Sequence, residues 1–174
     1  MRQGDWIQTF SGGRFWPMDP HAEDVEIVDI AHSLSMQCRF AGHCLRFYSV
    51  AEHCVHLSRA VAPVHALWAL LHDASEAYLV DVPRPVKPYL GGYREAEALV
   101  MMAVCRRFGL DYEMPAAVHD ADRRILGDER ANLSVCVAEW SEPPRPLGID
   151  LAYWPPERAE AEFLARFEEL RGSA

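Results

Sequence analysis

The chain has 174 residues, half of them hydrophobic, and a formal net charge of −9. This length and composition fit one domain with a full-sized hydrophobic core. The acidic balance argues against a protein that binds duplex nucleic acid, because such a protein needs basic surface to meet phosphates. A small anionic substrate remains open, since a metal and a few local Arg or Lys residues can reverse the potential inside one cleft.

Residues 1–23 form an N-terminal arm that is rich in Gly, Pro and aromatic residues. We expect this arm to be irregular or to form a short β-hairpin that packs on the rest of the chain. The first helix is predicted at 24–36, because apolar residues recur there at the i, i+3, i+4 and i+7 positions of one helix face. These residues are Ile27, Ile30, Ala31 and Leu34.

Two further helices are predicted in the first half of the chain, at 49–61 and 64–80. Ser49 is the predicted N-cap of the first, and Glu52 three residues later completes the pattern of a capping box. The second is strongly apolar, and the prolines that begin at Pro83 end it.

Three more helices are predicted in the second half. The first, at 93–109, is closed by Gly109 as its C′ residue. The second, at 115–138, begins near Pro115. A last helix is predicted at 156–171, where Glu, Arg, Phe and Leu are dense.

We therefore predict a single domain in three parts. The N-terminal arm is followed by a helical core at 24–138, and a Pro-rich break with the C-terminal helix occupies 139–174. Strand signals are almost absent from the sequence. The predicted fold class is all-α, a helical bundle with a short irregular or hairpin arm at its N-terminus.

The cysteine pattern and the hydropathy bear on the compartment. Five cysteines are present, and no two have the Cys-x-x-Cys spacing of a structural zinc knuckle. Their odd number favours reduced thiols and a cytoplasmic location. The N-terminus lacks the apolar region of a signal peptide, and no apolar run approaches the roughly 18 residues of a transmembrane helix. We expect no membrane association.

The most informative dipeptide is His72-Asp73, near the end of the apolar segment 64–80. An imidazole and a carboxylate together suit a divalent transition metal. Adjacent residues on a helix point about 100° apart, so His72 and Asp73 can share one ion only if it lies over the edge between them. The other ligands must come from other helices, and His53 and Asp122 are the candidates.

Glu76 follows His72 by four residues and is expected on the same helix face, where its carboxylate can orient or deprotonate a water. The alternative is a Glu that only pairs with a Lys or Arg. A second dipeptide, His119-Asp120, shows how easily the pattern arises, and Asp120 competes with Asp122 for the ligand role. The Ile and Leu that follow shortly after Asp122 favour Asp122.

These residues, in this order, resemble the His … His-Asp … Asp ligand pattern of the HD-domain metal-dependent phosphohydrolases. The stretches 49–53, 72–76 and 81–87 are similar to the corresponding motifs of bacterial 5′-deoxynucleotidases. The short length and the aromatic arm are also similar to compact phage-type members, which include dATP triphosphohydrolases. The resemblance covers residues 25–135 and implies an HD-domain helical bundle.

The resemblance also implies roles for individual residues. The implied ligands of one divalent transition metal are His53, His72, Asp73 and Asp122. The metal could be Mn, Co, Fe, Ni or Zn, and a second divalent ion could accompany the substrate phosphates. Glu76 would handle the nucleophilic water, and Asp81 would lie near the sugar or the leaving oxygen.

Substrate contacts are predicted on both sides of the ligand motifs. In the 5′-deoxynucleotidases an Arg-Trp pair before the first His contacts the nucleotide, and Arg39-Phe40 precedes His53 here, with Phe in place of Trp. Arg39 and Lys87 are candidate phosphate contacts, with a solvated surface cation as the alternative. Trp16 could stack on a base, with core packing of the arm as the alternative.

The predicted function is a metal-dependent phosphohydrolase that removes phosphate from deoxynucleotides by means of a metal-activated water. One alternative is a triphosphohydrolase that releases triphosphate from a dNTP such as dATP. Another is a non-catalytic HD module that senses a nucleotide, which the presence of Glu76 beside all four ligands argues against. The apolar helices at 93–109 and 156–171 further predict a homo-oligomer.

Overall fold

The computed structural model describes residues 2–135 and 145–172, and these are mostly helical. Strands β1 (Ile7–Gln8) and β2 (Arg14–Phe15) form a small antiparallel sheet. The helices are α1 (Ile27–Met36), α2 (Val50–Ala60), α3 (Ala66–Leu71), α4 (Glu76–Leu79), α5 (Tyr93–Phe108), α6 (Ala116–Glu129) and α7 (Pro156–Gly172). The predicted all-α fold is confirmed. Among the described residues, no helix is long and apolar enough to cross a membrane.

The N-terminal arm contains the hairpin that was expected for it. Ile7 pairs with Phe15 across the two strands. The side chain of Phe15 is fully buried, and its ring stacks on that of Tyr78 with the ring centres 3.8 Å apart. The arm therefore packs against α4 and closes one side of the bundle.

Helix α2 lies at the centre of the bundle, because α1, α3, α6 and α7 all pack against it. Val55 joins an apolar cluster that includes Leu34 of α1 and Phe163 of α7. Leu57 joins a second cluster with Ile125 of α6. A polar residue on the inner side of α2 is consequently removed from water on every side.

The N-terminus of α2 is held by two polar side chains. Ser49 is the N-cap, and its Oγ accepts a hydrogen bond of 3.0 Å from the Glu52 N–H, as predicted. The Glu52 carboxylate is fully buried and does not complete the predicted capping box, because its hydrogen bonds are made elsewhere. It accepts hydrogen bonds of 2.9, 2.8 and 2.6 Å from the backbone N–H groups of Ala152, Tyr153 and Trp154. The segment that leads into α7 is thus anchored to a helix made 100 residues earlier.

The prediction of one helix at 64–80 is wrong, because residues 72–75 divide it into α3 and α4. Across this break the N–H groups of Ala74, Glu76 and Tyr78 donate to the carbonyl three residues earlier, at 2.9–3.1 Å. This is a tighter turn than the i→i−4 pattern of an α-helix. Apolar residues continue through the break, so their spacing did not reveal it.

The helix predicted at 115–138 also ends early, at Glu129. The Asn132 side chain accepts a hydrogen bond from the Arg46 N–H at 2.9 Å and donates one to the Arg46 carbonyl at 2.8 Å. The Asn132 carbonyl accepts another from the Leu45 N–H. These bonds draw the chain out of the helix. Outside the described residues lie 136–138, which include Cys136, and 142–144 of the Pro-rich segment.

Candidate metal centre

The four predicted ligands converge from three helices. His53 lies in the first half of α2 and is fully buried. His72 caps the C-terminus of α3, and Asp73 begins the turn that follows. Asp122 comes from the middle of α6. Helices α3 and α6 both lie near α2, so their side chains can meet. The chain turns after α3, and Asp73 in that turn faces the same point as the two imidazoles.

The distances between donor atoms fit a single metal ion. Nε2 of His53 lies 3.2 Å from Nε2 of His72 and 3.3 Å from Oδ1 of Asp122. Oδ2 of Asp73 lies 3.2 Å and 3.8 Å from the same two nitrogens, those of His72 and His53 respectively. Donors about 2.1 Å from one ion lie about 3.0 Å apart when adjacent and about 4.2 Å apart when opposite. The cluster could therefore hold a metal ion.

The hydrogen bonds of the two imidazoles fix which nitrogen is free. Nδ1 of His53 donates to Oε1 of Glu129 at 2.7 Å, and Nδ1 of His72 donates to the Ala69 carbonyl at 2.8 Å. In the neutral rings both Nε2 atoms then carry lone pairs, and these face each other across 3.2 Å. Facing lone pairs repel, and a cation between them removes the repulsion. The donor set thus fits a metal ion, with Glu129 and the carbonyl orienting the rings.

Electrostatics also favour positive charge at this point. Burial lowers the pKa of His72, but the Asp73 carboxylate outweighs it, and the pKa lies well above its usual value. Burial alone would raise the pKa of Asp73, yet the His72 imidazole lowers it to about 2. For Asp122, the close approach of the His53 and His72 imidazoles outweighs burial and holds its pKa below the usual range. The carboxylates stay charged, so the centre attracts cations.

Glu129 is a site residue that the sequence analysis missed. It is fully buried, and besides His53 it binds the Arg39 guanidinium, with Nη2 3.2 Å from Oε2. Burial would raise the pKa of Glu129, but the charge of Arg39 lowers it, so the carboxylate is ionised. Glu129 follows Asp122 by seven residues, which is two helical turns on the same face of α6. That spacing was a signal that could have found it.

A cavity of about 460 Å³ opens beside the cluster. It brings together most of the predicted site residues, namely Arg39, Phe40, Asp73, Glu76, Asp81, Lys87 and Asp122. It adds residues that the sequence analysis did not assign, including Arg84 and Leu126. The loop between α4 and α5 forms one wall, and the turn after α3 together with α6 forms another.

Glu76 lines this cavity, but from a different helix than the one predicted to carry it. The break at 72–75 separates Glu76 from His72, and Glu76 is the first residue of the new helix α4. The prediction that the two residues share a helix face is therefore wrong. It is 6% exposed, and its Oε2 is buried without a hydrogen-bond partner among the described residues. Burial, together with the charges of Asp73 and Asp81, raises its pKa to about 9.

Gln37, which follows α1, fixes the segment that carries Glu76 and Asp81. Its Nε2 donates to the Glu76 carbonyl at 3.0 Å, and its Oε1 accepts from the Asp81 N–H at 2.9 Å. Lys87 is held from the other side, with Nζ 2.7 Å from Oε1 of Glu97 and 3.6 Å from Oε1 of Glu76. The loop wall of the cavity is thus tied to α1 and to α5.

The Arg39–Phe40 segment lies in a strained loop. Phe40, Ala41 and Gly42 all adopt left-handed backbone conformations, with φ of 56°, 50° and 80°. Each non-glycine residue there costs about 1–2 kcal/mol, which is typical of segments kept for function. The Arg39 guanidinium lies 3.6 Å from Asp73 in addition to its contact with Glu129. Its charge is therefore largely balanced within the chain.

The structure does not bring Trp16 to the cavity. Its ring instead lies under the guanidinium of Arg2, 4.4 Å from the ring centre, and near that of Arg14 at 5.4 Å. This is packing within the arm, which was the alternative weighed for it. The competing carboxylate Asp120 is exposed and pairs with Arg123 and Arg124 on the surface of α6.

The fold and the site define a class: an all-α protein with a buried cluster of two His and two Asp that could hold a metal ion. No family model matches the chain. It is 42% identical over 130 residues to the uncharacterized protein YfdR of Escherichia coli, covering 75% of this chain and 73% of YfdR. It is 36% identical over 186 aligned positions to the uncharacterized protein RCAP_rcc00048 of Rhodobacter capsulatus, covering 95% of each. The chain belongs to the family of these two proteins.

Proposed function

We propose that the protein is a metal-dependent phosphohydrolase of the HD-domain type that removes phosphate from deoxynucleotides. One observation carries this proposal. Two imidazoles and two carboxylates meet beside a cavity that Glu76 and several cationic side chains also line. A metal-binding donor set, a carboxyl group for proton transfer and cations for an anionic substrate are the components that hydrolysis of a phosphate ester needs.

Four side chains would hold the ion, for which Mn, Co, Fe, Ni and Zn are candidates. They are His53, His72, Asp73 and Asp122. When bound, the ion would neutralise charge on the phosphate ester and lower the pKa of a neighbouring water. A second divalent ion that arrives with the substrate phosphates belongs to the same proposal. The chain contributes by fixing both imidazole rings through their Nδ1 hydrogen bonds.

Glu76 is the proposed proton-transfer group. One of its carboxyl oxygens is buried without a partner among the described residues, and the other is 3.6 Å from Lys87. With its pKa raised to about 9, this carboxyl group holds a proton near neutral pH and can give it to the leaving oxygen; in its ionised form it can take a proton from the attacking water. Asp81 lines the same cavity, held through its backbone by Gln37, and would contact the sugar or the leaving oxygen.

The remaining walls suit a nucleotide. Lys87 and Arg84 supply positive charge, and the Arg84 side chain is 78% exposed, so its guanidinium can meet a phosphate. Phe40 supplies an aromatic ring for the sugar or the base. The volume of about 460 Å³ lies within the roughly 300–1,000 Å³ of small-molecule sites.

A second candidate reaction is the release of triphosphate from a dNTP such as dATP. The position of Arg84 favours it, because an exposed guanidinium 4.0 Å from Asp122 could bind phosphates beyond the one at the metal. A non-catalytic module that senses a nucleotide is the third candidate. Its weakness is that Glu76 lies buried beside the donor set, where a sensor would have no use for it.

One experiment separates the three candidates. The purified protein is loaded in turn with each candidate metal and incubated with deoxynucleoside mono-, di- and triphosphates, and the leaving group is identified. Release of phosphate from the monophosphates is the expected result. Release of triphosphate would select the second candidate. Nucleotide binding without any product, in protein shown to contain metal, would contradict hydrolysis and leave the sensor.

The role of Glu76 has its own test. We expect Glu76→Gln to retain the metal and to lose about 10²–10⁴ in turnover, as is typical when a proton-transfer group is removed. Asp120→Asn is the matched control, because it neutralises an exposed carboxylate outside the cavity. Equal turnover in Glu76→Gln and the wild type, with metal content unchanged, would remove Glu76 from this role.

A further inference from the structure

Helix α5 presents apolar residues on two different faces. Ala96, Val100 and Val104 are buried on the inner face, against the bundle. Leu99 and Met102 on the outer face are 41% and 38% exposed. Neighbouring apolar side chains on an exposed helix face are candidates for an interaction surface.

The outer face carries four side chains in line, which we call the outer stripe: Glu95, Leu99, Met102 and Arg106. Spacings of four, three and four residues place them along one side of the helix. The order is acid, apolar, apolar, base. The stripe is therefore symmetric about the point midway between Leu99 and Met102, except that the charges at its two ends have opposite sign.

We propose that the protein forms a dimer in which the outer stripes of two copies pack antiparallel around a two-fold axis. An axis at the midpoint places residues that are equally far from it opposite each other. Glu95 then faces Arg106 of the partner subunit, and Leu99 faces Met102 of the partner subunit. A parallel arrangement would instead put each Glu95 against its own counterpart, which costs energy. The proposal does not depend on the phosphohydrolase assignment.

The charges at the two ends are available for this contact. Glu95 makes no ion pair within residues 2–135 and 145–172. The Arg106 side chain is exposed, and its Nε donates to the hydroxyl of Tyr112 at 2.9 Å. This bond holds the guanidinium at the end of the stripe. Ala98 beside the stripe is small, which lets the two helices approach closely.

Exposed tyrosines flank both ends of α5. A stable interface buries about 1,200–2,000 Å², which is more than two helix stripes supply. Tyr89, just before the helix, is 86% exposed, and Tyr112, just after it, is 59% exposed. Tyr112 is hydrogen-bonded to Arg106 of the outer stripe, so in the proposed dimer it extends the contact. Tyr, Met and Arg are the residues enriched in such interfaces.

The other helix expected to mediate association does not offer such a face. The sequence predicted contacts through both 93–109 and 156–171. In the structure Phe163 and Phe167 of α7 are buried inside the bundle, where they pack with α1, α2 and α3. The apolar surface of α7 is therefore used within the subunit, and α5 retains an exposed apolar stripe.

Sedimentation equilibrium of the full chain, over a wide range of concentrations, tests this proposal. We expect wild type to have twice the mass of the chain and Leu99→Asp to be monomeric with unchanged helical circular dichroism. Glu95→Arg and Arg106→Glu should each weaken the dimer about tenfold or more, since each creates two like-charge contacts. The double variant Glu95→Arg/Arg106→Glu should regain at least half of the lost binding free energy, because it restores both pairs in reverse.

Arg94→Glu is the control, because it reverses a charge on the same helix but about 100° away from the stripe. It should leave the dimer unchanged. A monomeric wild type would overturn the proposal, as would a dimer that survives Leu99→Asp. A double variant no stronger than the single variants would overturn the antiparallel arrangement.

Discussion

The two His-Asp dipeptides of this chain have the same chemistry and opposite surroundings. His72-Asp73 follows a helix packed against the central helix of the bundle, and His72 is 6% exposed. His119-Asp120 lies on the outer face of α6, where both side chains are exposed. Asp122, two residues on, is turned about 200° around the helix and faces inward. Convergence with donors from other helices, and not the dipeptide itself, creates a cluster that could hold a metal ion.

The largest difference in metal content and turnover is expected between variants of Asp73 and of Asp120. Asp73→Ala should lose bound metal and at least about 10³-fold in turnover, because it removes a donor from the cluster. Asp120→Ala should retain both, since its carboxylate only pairs with surface arginines. Metal content by elemental analysis and hydrolysis rates measure the two effects. Full activity in a metal-free Asp73→Ala protein would dismiss the assignment.

Removal of the metal by a chelator should distinguish the two histidines, His72 and His119, by the change in Tm. A metal at about a hundred times its Kd stabilises a protein by about 2.7 kcal/mol, which in a chain of this size shifts Tm by about 5–10 °C. We expect a chelator to lower the Tm of the wild type and of His119→Ala by this amount. His72→Ala should show no further decrease on chelation. A decrease of the same size in His72→Ala would place the metal elsewhere.

A smaller effect on metal affinity is expected for Glu129, which contacts a candidate ligand and not the metal itself. Glu129→Gln should weaken metal affinity about 10–100-fold, because it disturbs the hydrogen bond that orients His53. Asp128→Asn, one residue earlier, removes a carboxylate that accepts N–H groups from Leu147, Gly148 and Ile149. It should reduce stability without changing metal affinity. Metal titrations of both variants compare them, and equal affinities would contradict the role of Glu129.

The smallest effect is expected on the exposed side of α6. Asp120→Asn should change the free energy of unfolding by no more than about 0.5 kcal/mol, because its pairs with Arg123 and Arg124 are solvent-exposed. Urea denaturation measures this change. A loss of several kcal/mol would mean that the second dipeptide has a structural task that its exposure hides.

The sequence was sufficient to predict most helices and the cluster of His and Asp residues that could hold a metal ion. His72 could be found because an imidazole and a carboxylate follow an apolar helix, and His53 and Asp122 because the ordered motifs resemble those of the HD-domain phosphohydrolases. The division at 72–75 was hidden, since buried residues such as Ala74 and Tyr78 continue the apolar pattern on both sides. The fold could be predicted from periodicity, and the break depended on backbone hydrogen bonds that periodicity does not report.

The direction in which a side chain points was the second kind of information that the sequence lacked. Trp16 and Phe40 are both aromatic and both lie near glycines, yet only Phe40 lines the cavity. The difference arises from the left-handed backbone at Phe40 and from the arginines that engage Trp16. Neither can be inferred from residue type. The partner of His53, Glu129, could have been inferred, because its spacing from Asp122 is regular.

The anchoring of α2 by Glu52 has a consequence for the order in which the molecule is completed. During synthesis, all four candidate ligands have left the ribosome well before Ala152 to Trp154, which supply the N–H donors for Glu52. Until those residues arrive, the Glu52 carboxylate has only the His56 imidazole, 3.2 Å away on the same helix, as a partner, so the burial of the helix that carries His53 is not fully compensated. Long-range contacts of this kind form late in folding. The earliest candidate ligand in the chain, His53, is therefore fixed in place only after residues in the last quarter of the protein have been made.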